Sequence, residues 1–169
     1  YTKQKFKDYI LITLAGVMVF IITFLPVIAI SGKVYDLSYD GQAYHQEAIV
    51  QFARGWNPVY MFLDGEATAN LERWLNHYPK AGWILSGTVF LLTGNIEHGK
   101  AMSLYILVPT LAFSFWALWK TKLSSLTKTL ASIALTLNPV LVYQSLSYYL
   151  DGILVSLLLC LSAVCFKIS

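Results

Sequence analysis

The sequence predicts an all-α polytopic membrane protein, with about four transmembrane helices and a long first outer loop that carries interfacial and re-entrant helices. Apolar residues make up 57% of the 169 residues and charged residues 12%, and the mean hydropathy is +0.59. A soluble domain usually carries about 25% charged residues, so this composition is typical of a membrane protein. The lysines stand in short clusters between apolar runs, which argues against nucleic acid as a partner.

Residues 1–30 form the first predicted region, a cytoplasmic start followed by a transmembrane helix. The uncharged run over residues 9–30 is long enough to cross a hydrocarbon core of about 30 Å. Lys3, Lys5 and Lys7 precede it. By the positive-inside rule, these lysines place the N-terminus in the cytoplasm.

Residues 31–100 form the second predicted region, an outer loop that holds most of the acidic residues. A helix is expected over residues 40–54, where Tyr44, Ala48 and Phe52 fall on one stripe. A second short amphipathic helix is expected around Leu71, Trp74 and Leu75. The apolar run at 81–93 is too short to span a bilayer, so it predicts a re-entrant or interfacial segment.

Residues 101–169 form the third region, with three further crossings at 101–119, 130–146 and 153–166. Because the chain opens without Met and stops soon after the last run, we expect a fragment of a larger transmembrane domain. Lys120, Lys122 and Lys128 become cytoplasmic if the segment at 81–93 does not cross. The acidic loop and the corner at 148–151 then share the outer face.

Asp40 is the main candidate for chemistry in the loop, with Asp36 as a second carboxylate. A carboxylate beside a membrane surface can act as a general base or hold a divalent cation. The alternative is that Asp40 only caps a helix N-terminus, where free amides and the dipole favour an acid.

Three further groups stand near the predicted membrane boundary. His77 and Lys80 can meet a phosphate, although Lys80 is more simply explained as a snorkelling side chain in an aromatic belt. Asp151 lies between two spans, where an ionisable group suggests a function; the alternative is a simple helix cap. The stretch His98-Gly99-Lys100 is interpreted as the solvated start of the second span.

The order of these parts resembles the glycosyltransferase C superfamily, and within it the branch of protein O-mannosyltransferases and lipid A aminoarabinose transferases. The residues from Asp40 to Tyr44 are similar to that branch's Asp-Glu-x-x-Tyr pattern, with Gly41 in place of the second acid. The stretch 77–83 is similar to its Pro-rich entry, with one proline rather than two. Asn138-Pro139 followed by Asp151 is similar to its third landmark.

The resemblance implies an enzyme that moves a sugar from a polyprenyl-phosphate carrier to an acceptor on the non-cytoplasmic face, with inversion. Asp40 would be the catalytic base, Asp151 would help bind the acceptor, and His77 and Lys80 would lie near the leaving phosphate. Tyr44 and Asp36 would also contact substrate. Asp40 and Asp151 are the candidate ligands for a divalent cation, Mg²⁺ or Mn²⁺.

The implied partners are the bilayer and the lipid-linked sugar, and the implied location is the plasma membrane of a bacterium or archaeon with the site facing outward. Two other functions stay open at this point. A transporter or flippase half would need polar or ionisable groups in the middle of the spans. A non-catalytic membrane assembly subunit would use the aromatic loop as a binding surface.

Overall fold

The computed structural model describes residues 2–66, 68 and 70–168, and within these ranges the ordered elements are all helical. A π-helical turn over Gly41–His45 leads into α2, and a 3-10 turn over Ile96–Lys100 leads into α5. The α-helices are α1 (Thr2–Ser31), α2 (Gln46–Ala53), α3 (Glu72–His77), α4 (Ala81–Thr93), α5 (Ala101–Tyr105), α6 (Leu107–Leu118), α7 (Ser125–Thr136), α8 (Pro139–Ser145) and α9 (Asp151–Ile168).

Two helical stretches are long and apolar enough to cross a membrane: Lys5–Ser31, with 27 residues, and Ile96–Leu118, with 23 residues. The bent pair α7 and α8 makes a third if it counts as one span. These helices are consistent with a membrane protein. The fourth expected crossing corresponds to α9, and its status as a span stays a prediction.

α1 contacts the rest of the protein through aromatic packing in its second half. The rings of Phe20 and Phe24 lie 5.2 and 5.3 Å from the ring of Tyr105, both edge-on. The Thr23 hydroxyl lies 3.0 Å from the Tyr105 hydroxyl. Most of the other apolar side chains of α1 are exposed, as expected for a helix whose solvent is hydrocarbon.

The expected crossing at 130–146 is not one straight helix, which corrects the sequence-based prediction. The chain bends by 51° between α7 and α8. Pro139 cannot donate a backbone hydrogen bond and clashes with the preceding turn. Asn138 starts the new helix instead, because its backbone is extended and its side chain accepts a hydrogen bond from the Leu141 N–H at 3.1 Å.

The bent pair still covers the whole length of the Ile96–Leu118 helix. At one end Lys128 Nζ donates to the Trp119 carbonyl at 2.9 Å. At the other end the Tyr148 hydroxyl donates to the Ile96 carbonyl. α9 then returns, and Lys167 Nζ reaches the Trp116 carbonyl at 3.3 Å. The loop after α1, the 3-10 turn and the corner at 146–151 therefore meet at one end of the helices.

The loop folds over its own aromatic core at that end. The buried cluster is Tyr44, Ala48, Trp56, Leu75 and Trp83. α4 supplies Trp83, and with 13 residues it is shorter than a span, as the length of its apolar run predicted. Burying each large aromatic side chain contributes about 2–3 kcal/mol, so this cluster holds the loop against α4.

Candidate functional site

Asp40 stands directly before the π-helical turn, and the geometry of this turn determines which residues lie next to its side chain. Asp40 has helical backbone angles (φ −66°, ψ −35°) and its side chain makes no capping hydrogen bond, so the explanation of Asp40 as an N-cap does not hold. The Gln46 N–H donates to the Gly41 carbonyl, the i→i+5 pattern of a π-helix. Residues four and five positions on, Tyr44 and His45, therefore lie about one turn above Asp40.

Asp40 is half-buried and lines a cavity of about 180 Å³. The cavity walls are Tyr39, Asp40, Ala43, Tyr44, Leu71 and Trp74. Tyr44 stacks on Trp74 with 5.7 Å between ring centroids. Burial raises the pKa of the Tyr44 hydroxyl, and the neighbouring Tyr78 and Asp40 add to the shift. Tyr44 therefore keeps its proton and presents a hydroxyl donor beside the Asp40 carboxylate.

Asp36 is buried and both of its carboxylate oxygens are engaged. Oδ1 accepts from the Ser38 N–H at 2.8 Å, and Oδ2 accepts from the Tyr148 N–H at 2.7 Å. The second bond joins the loop to the corner before α9. This environment gives Asp36 a structural role, since backbone N–H groups already bind both of its carboxylate oxygens, and the substrate contact that the resemblance implied stays a prediction.

The Asp36 carboxylate packs so closely against the backbone at position 41 that only glycine fits there. A Cβ atom at this position would overlap Asp36 Oδ2 and Ser38 Oγ. The glycine that stands where the resembled family has its second acid is therefore explained by close packing. In this chain there is no room for a side chain at that place.

Glu97 and Lys100 complete a buried polar network that the sequence analysis missed. Lys100 is fully buried, pairs with Glu97 and donates to the Val34 carbonyl. Glu97 Oε2 also accepts from the Asp36 N–H at 3.1 Å. The interpretation of 98–100 as a solvated helix start is wrong. The i,i+3 spacing of Glu97 and Lys100 was the available signal.

His45 is fully buried under the same loop. Its Nδ1 accepts from the Trp83 indole N–H at 2.7 Å, while its Nε2 is buried without a hydrogen-bond partner. Burial lowers the pKa of His45 to about 4 against the opposing effect of Asp40, Asp36 and Asp151. All three acids therefore lie within electrostatic reach of this imidazole.

Lys80 and His77 do not share an anion site. Lys80 Nζ donates to the Leu75 and Tyr78 carbonyls at 2.7 and 2.6 Å, so it satisfies the C-terminal end of α3. It also lies 5.2 Å from the Trp83 ring centroid, and burial lowers its pKa. This geometry favours the structural explanation of Lys80 over phosphate binding.

His77 instead faces a neighbouring groove. This exposed residue of α3 lines an open groove of about 360 Å³ with Arg73, Trp74 and Tyr78. Trp74 lines both this groove and the Asp40 cavity. A surface that carries the Arg73 guanidinium and the His77 imidazole thus lies beside the carboxylate cavity. Arg73 is the member of this surface that sequence reasoning missed.

Asp151 is exposed at the first residue of α9. Within the described parts of the chain, no group of three or more His, Cys, Asp or Glu side chains could hold a metal ion. Asp40 and Asp151 therefore do not belong to a three-residue protein ligand set among these residues, and their role as ligands of a divalent cation stays a prediction.

Comparison with known proteins gives no relative. No protein-family model matches the chain, and neither a curated protein nor a solved structure matches it. The functional argument rests on the residues of this chain.

Proposed function

We propose that this chain carries the site of a membrane glycosyltransferase that moves a sugar from a polyprenyl-phosphate carrier to an acceptor on the non-cytoplasmic face. The observation that carries the proposal is Asp40. Its half-buried carboxylate makes no capping bond and opens on a cavity in the loop that follows α1. It is also the residue on which the resemblance to the glycosyltransferase C superfamily depends.

In the proposed reaction Asp40 takes the proton from an acceptor hydroxyl or amine. The freed electron pair forms the new bond to the anomeric carbon, and the bond from that carbon to the phosphate oxygen breaks. The lipid phosphate leaves with the electron pair, and the configuration inverts. A placed general base of this kind contributes about 100- to 10,000-fold to the rate.

The other residues take supporting roles in this proposal. The groove of Arg73 and His77 is the better place for the donor phosphate, since a guanidinium group and an imidazole N–H both donate hydrogen bonds to phosphate oxygens. The exposed Asp151 is proposed to contact the acceptor. Tyr44 orients the Asp40 carboxylate through its hydroxyl. No step is routed through a metal ion.

The deciding experiment is a transfer assay on the purified protein in detergent, with radiolabelled polyprenyl-phosphate sugars and a panel of acceptors. We expect Asp40→Asn to reduce transfer by about 100- to 10,000-fold because the base is lost. The thermal midpoint should stay unchanged, since the side chain makes no capping bond and an amide oxygen can still accept from the Tyr44 hydroxyl. The matched control is Glu66→Gln, which removes an exposed carboxylate from the same loop. Full transfer by Asp40→Asn would end the assignment.

A non-catalytic assembly subunit is the second candidate, and one observation favours it. Val59, Tyr60, Met61 and Phe62 are consecutive and between 52% and 84% exposed, an apolar patch of the kind that marks an interaction surface. If this candidate is right, Tyr60→Ser/Phe62→Ser releases a co-purifying membrane subunit, and the unaltered protein transfers none of the sugars tested.

A further inference from the structure

The hydrogen bond between His45 and Trp83 fixes where the imidazole carries its proton. An indole N–H can only donate, so His45 Nδ1, 2.7 Å away, must accept. A doubly protonated imidazole has no lone pair for this bond. His45 is therefore the neutral tautomer with its proton on Nε2.

The Nε2–H group is a buried donor with no acceptor in the protein as it stands. An unmatched buried donor costs about 1–3 kcal/mol, and such groups in native structures call for an explanation. The ring itself is held firmly. It lies 4.4 Å from the Tyr44 ring, 5.4 Å from the Tyr78 ring and 5.8 Å from the Trp83 ring, measured between centroids.

The π-helical turn points to the missing acceptor. It places Asp40 about one turn below His45, whereas an ordinary α-helix would put a residue five positions away on another face, because each residue turns the helix by about 100°. Asp40 is the nearest acid along this turn, and its side chain is not committed to a cap. Asp36, the other nearby buried acid, already accepts two backbone N–H groups.

We propose that His45 is a positioning residue whose Nε2–H donates to the Asp40 carboxylate, once that carboxylate rotates toward the ring, and holds it at the edge of the cavity. This inference rests on the proposed role of Asp40 as the base. Trp83 fixes the tautomer, His45 presents the donor and Asp40 receives it. The side-chain rotation of Asp40 closes the contact, since the imidazole ring is confined on three sides.

The first arm of the test reads the imidazole directly. In protein labelled with ¹⁵N-histidine, we expect His45 to show protonated Nε2 and unprotonated Nδ1 at pH 7, with the signal assigned by its loss in His45→Asn. Asp40→Asn should shift the Nε2–H resonance upfield because a carboxylate acceptor is replaced by an amide. Asp151→Asn removes a nearby charge as the matched control and should shift it less.

The second arm compares the transfer rates of two variants of His45, each of which keeps a polar group near one of the two ring nitrogens. His45→Gln places an amide N–H near the position of Nε2, whereas His45→Asn keeps an acceptor for Trp83 and loses the distal donor. We expect His45→Asn to lower kcat by about 10- to 100-fold, the effect of losing one hydrogen bond to a charged group, with KM nearly unchanged. His45→Gln should recover most of kcat.

The two arms separate the possible failures. A protonated Nδ1 would overturn the role of His45, whatever the transfer rate. Equal shifts of the Nε2–H resonance in Asp40→Asn and Asp151→Asn would overturn it as well. Transfer that is equally fast in His45→Asn and His45→Gln would also overturn it. If no sugar is transferred by the unaltered protein, the glycosyltransferase proposal fails, while the resonance shifts still decide the contact between His45 and Asp40.

Discussion

Two clusters of ionisable groups lie at the same end of the molecule and differ in how completely their hydrogen bonds are satisfied. In the buried network, Asp36, Glu97 and Lys100 are each engaged by backbone groups or by one another. At the cavity, Asp40 has no capping bond, and the buried His45 of the same helical turn keeps an unmatched Nε2. We call Asp36, Glu97 and Lys100 the clasp, because their satisfied hydrogen bonds are typical of a structural network. Asp40 and His45 belong to the ligand site that we propose.

Removing the charge of Lys100 is the strongest way to test the clasp. Lys100→Met leaves the Glu97 carboxylate buried and unpaired, so we expect a loss of about 3–5 kcal/mol in stability. The thermal midpoint in detergent measures it. The double variant Glu97→Gln/Lys100→Met should recover part of the loss because neither charge then remains.

Lys122→Met is the matched control for this prediction. Lys122 is exposed in the connection between α6 and α7, and a surface lysine contributes little to stability. A midpoint for Lys100→Met as high as that of Lys122→Met would mean that the clasp does not hold the fold.

The pH dependence of stability tests the cavity cluster. The pKa of His45 is about 4 in the folded protein and 6.5 in an ordinary environment, so the unfolded chain takes up the proton first as pH falls. The stabilisation is complete above about pH 6.5 and is lost between pH 6.5 and 4, by about 3 kcal/mol in all.

Thermal midpoints of the unaltered protein and of His45→Asn measure this effect. Asparagine does not titrate in this range, so the difference between the two proteins isolates the histidine from the carboxylates. Parallel curves from pH 7 to pH 4 would show that His45 does not stay neutral in the fold.

Gly41 lies where the loop passes from Asp36 to the turn that holds Asp40 and His45. Gly41→Ala should have the smallest effect of these changes on stability. Its added methyl group would overlap Asp36 Oδ2 and Ser38 Oγ, and overpacking of this kind costs about 1–3 kcal/mol. Gly16→Ala, in an open stretch of α1 with nothing near the added atom, should be neutral or slightly stabilising. Equal midpoints for the two variants would remove the packing argument for Gly41.

Apolar run length predicted the elements that depend on it alone. The helix over residues 9–30 and the short helix at 81–93 are present as α1 and α4. The small amphipathic helix expected around Leu71, Trp74 and Leu75 is present as α3. The bend at Asn138-Pro139 was not predicted as a break, although the proline and its capping asparagine carried the local signal.

The site was less predictable because its properties depend on contacts far apart in the chain. Lys100 reads as a solvated end residue until the loop at 34–38 closes over it. Asp36 and Asp40 look equivalent in sequence. Their roles differ because the Tyr148 N–H, 112 positions away, donates to the Asp36 carboxylate. The π-helical turn leaves no mark in the hydrophobic pattern, so the pairing of Asp40 with His45 could not be foreseen.

That turn has a consequence for how the loop tolerates length changes. A π-helical segment is an α-helix that accommodates one additional residue. Deleting a single residue between positions 41 and 45 would let ordinary helical hydrogen bonds form throughout. The regular helix would then rotate Asp40 about the helix axis by about 100°, away from the His45 imidazole. A shortened loop would fold well and aim its carboxylate in the wrong direction.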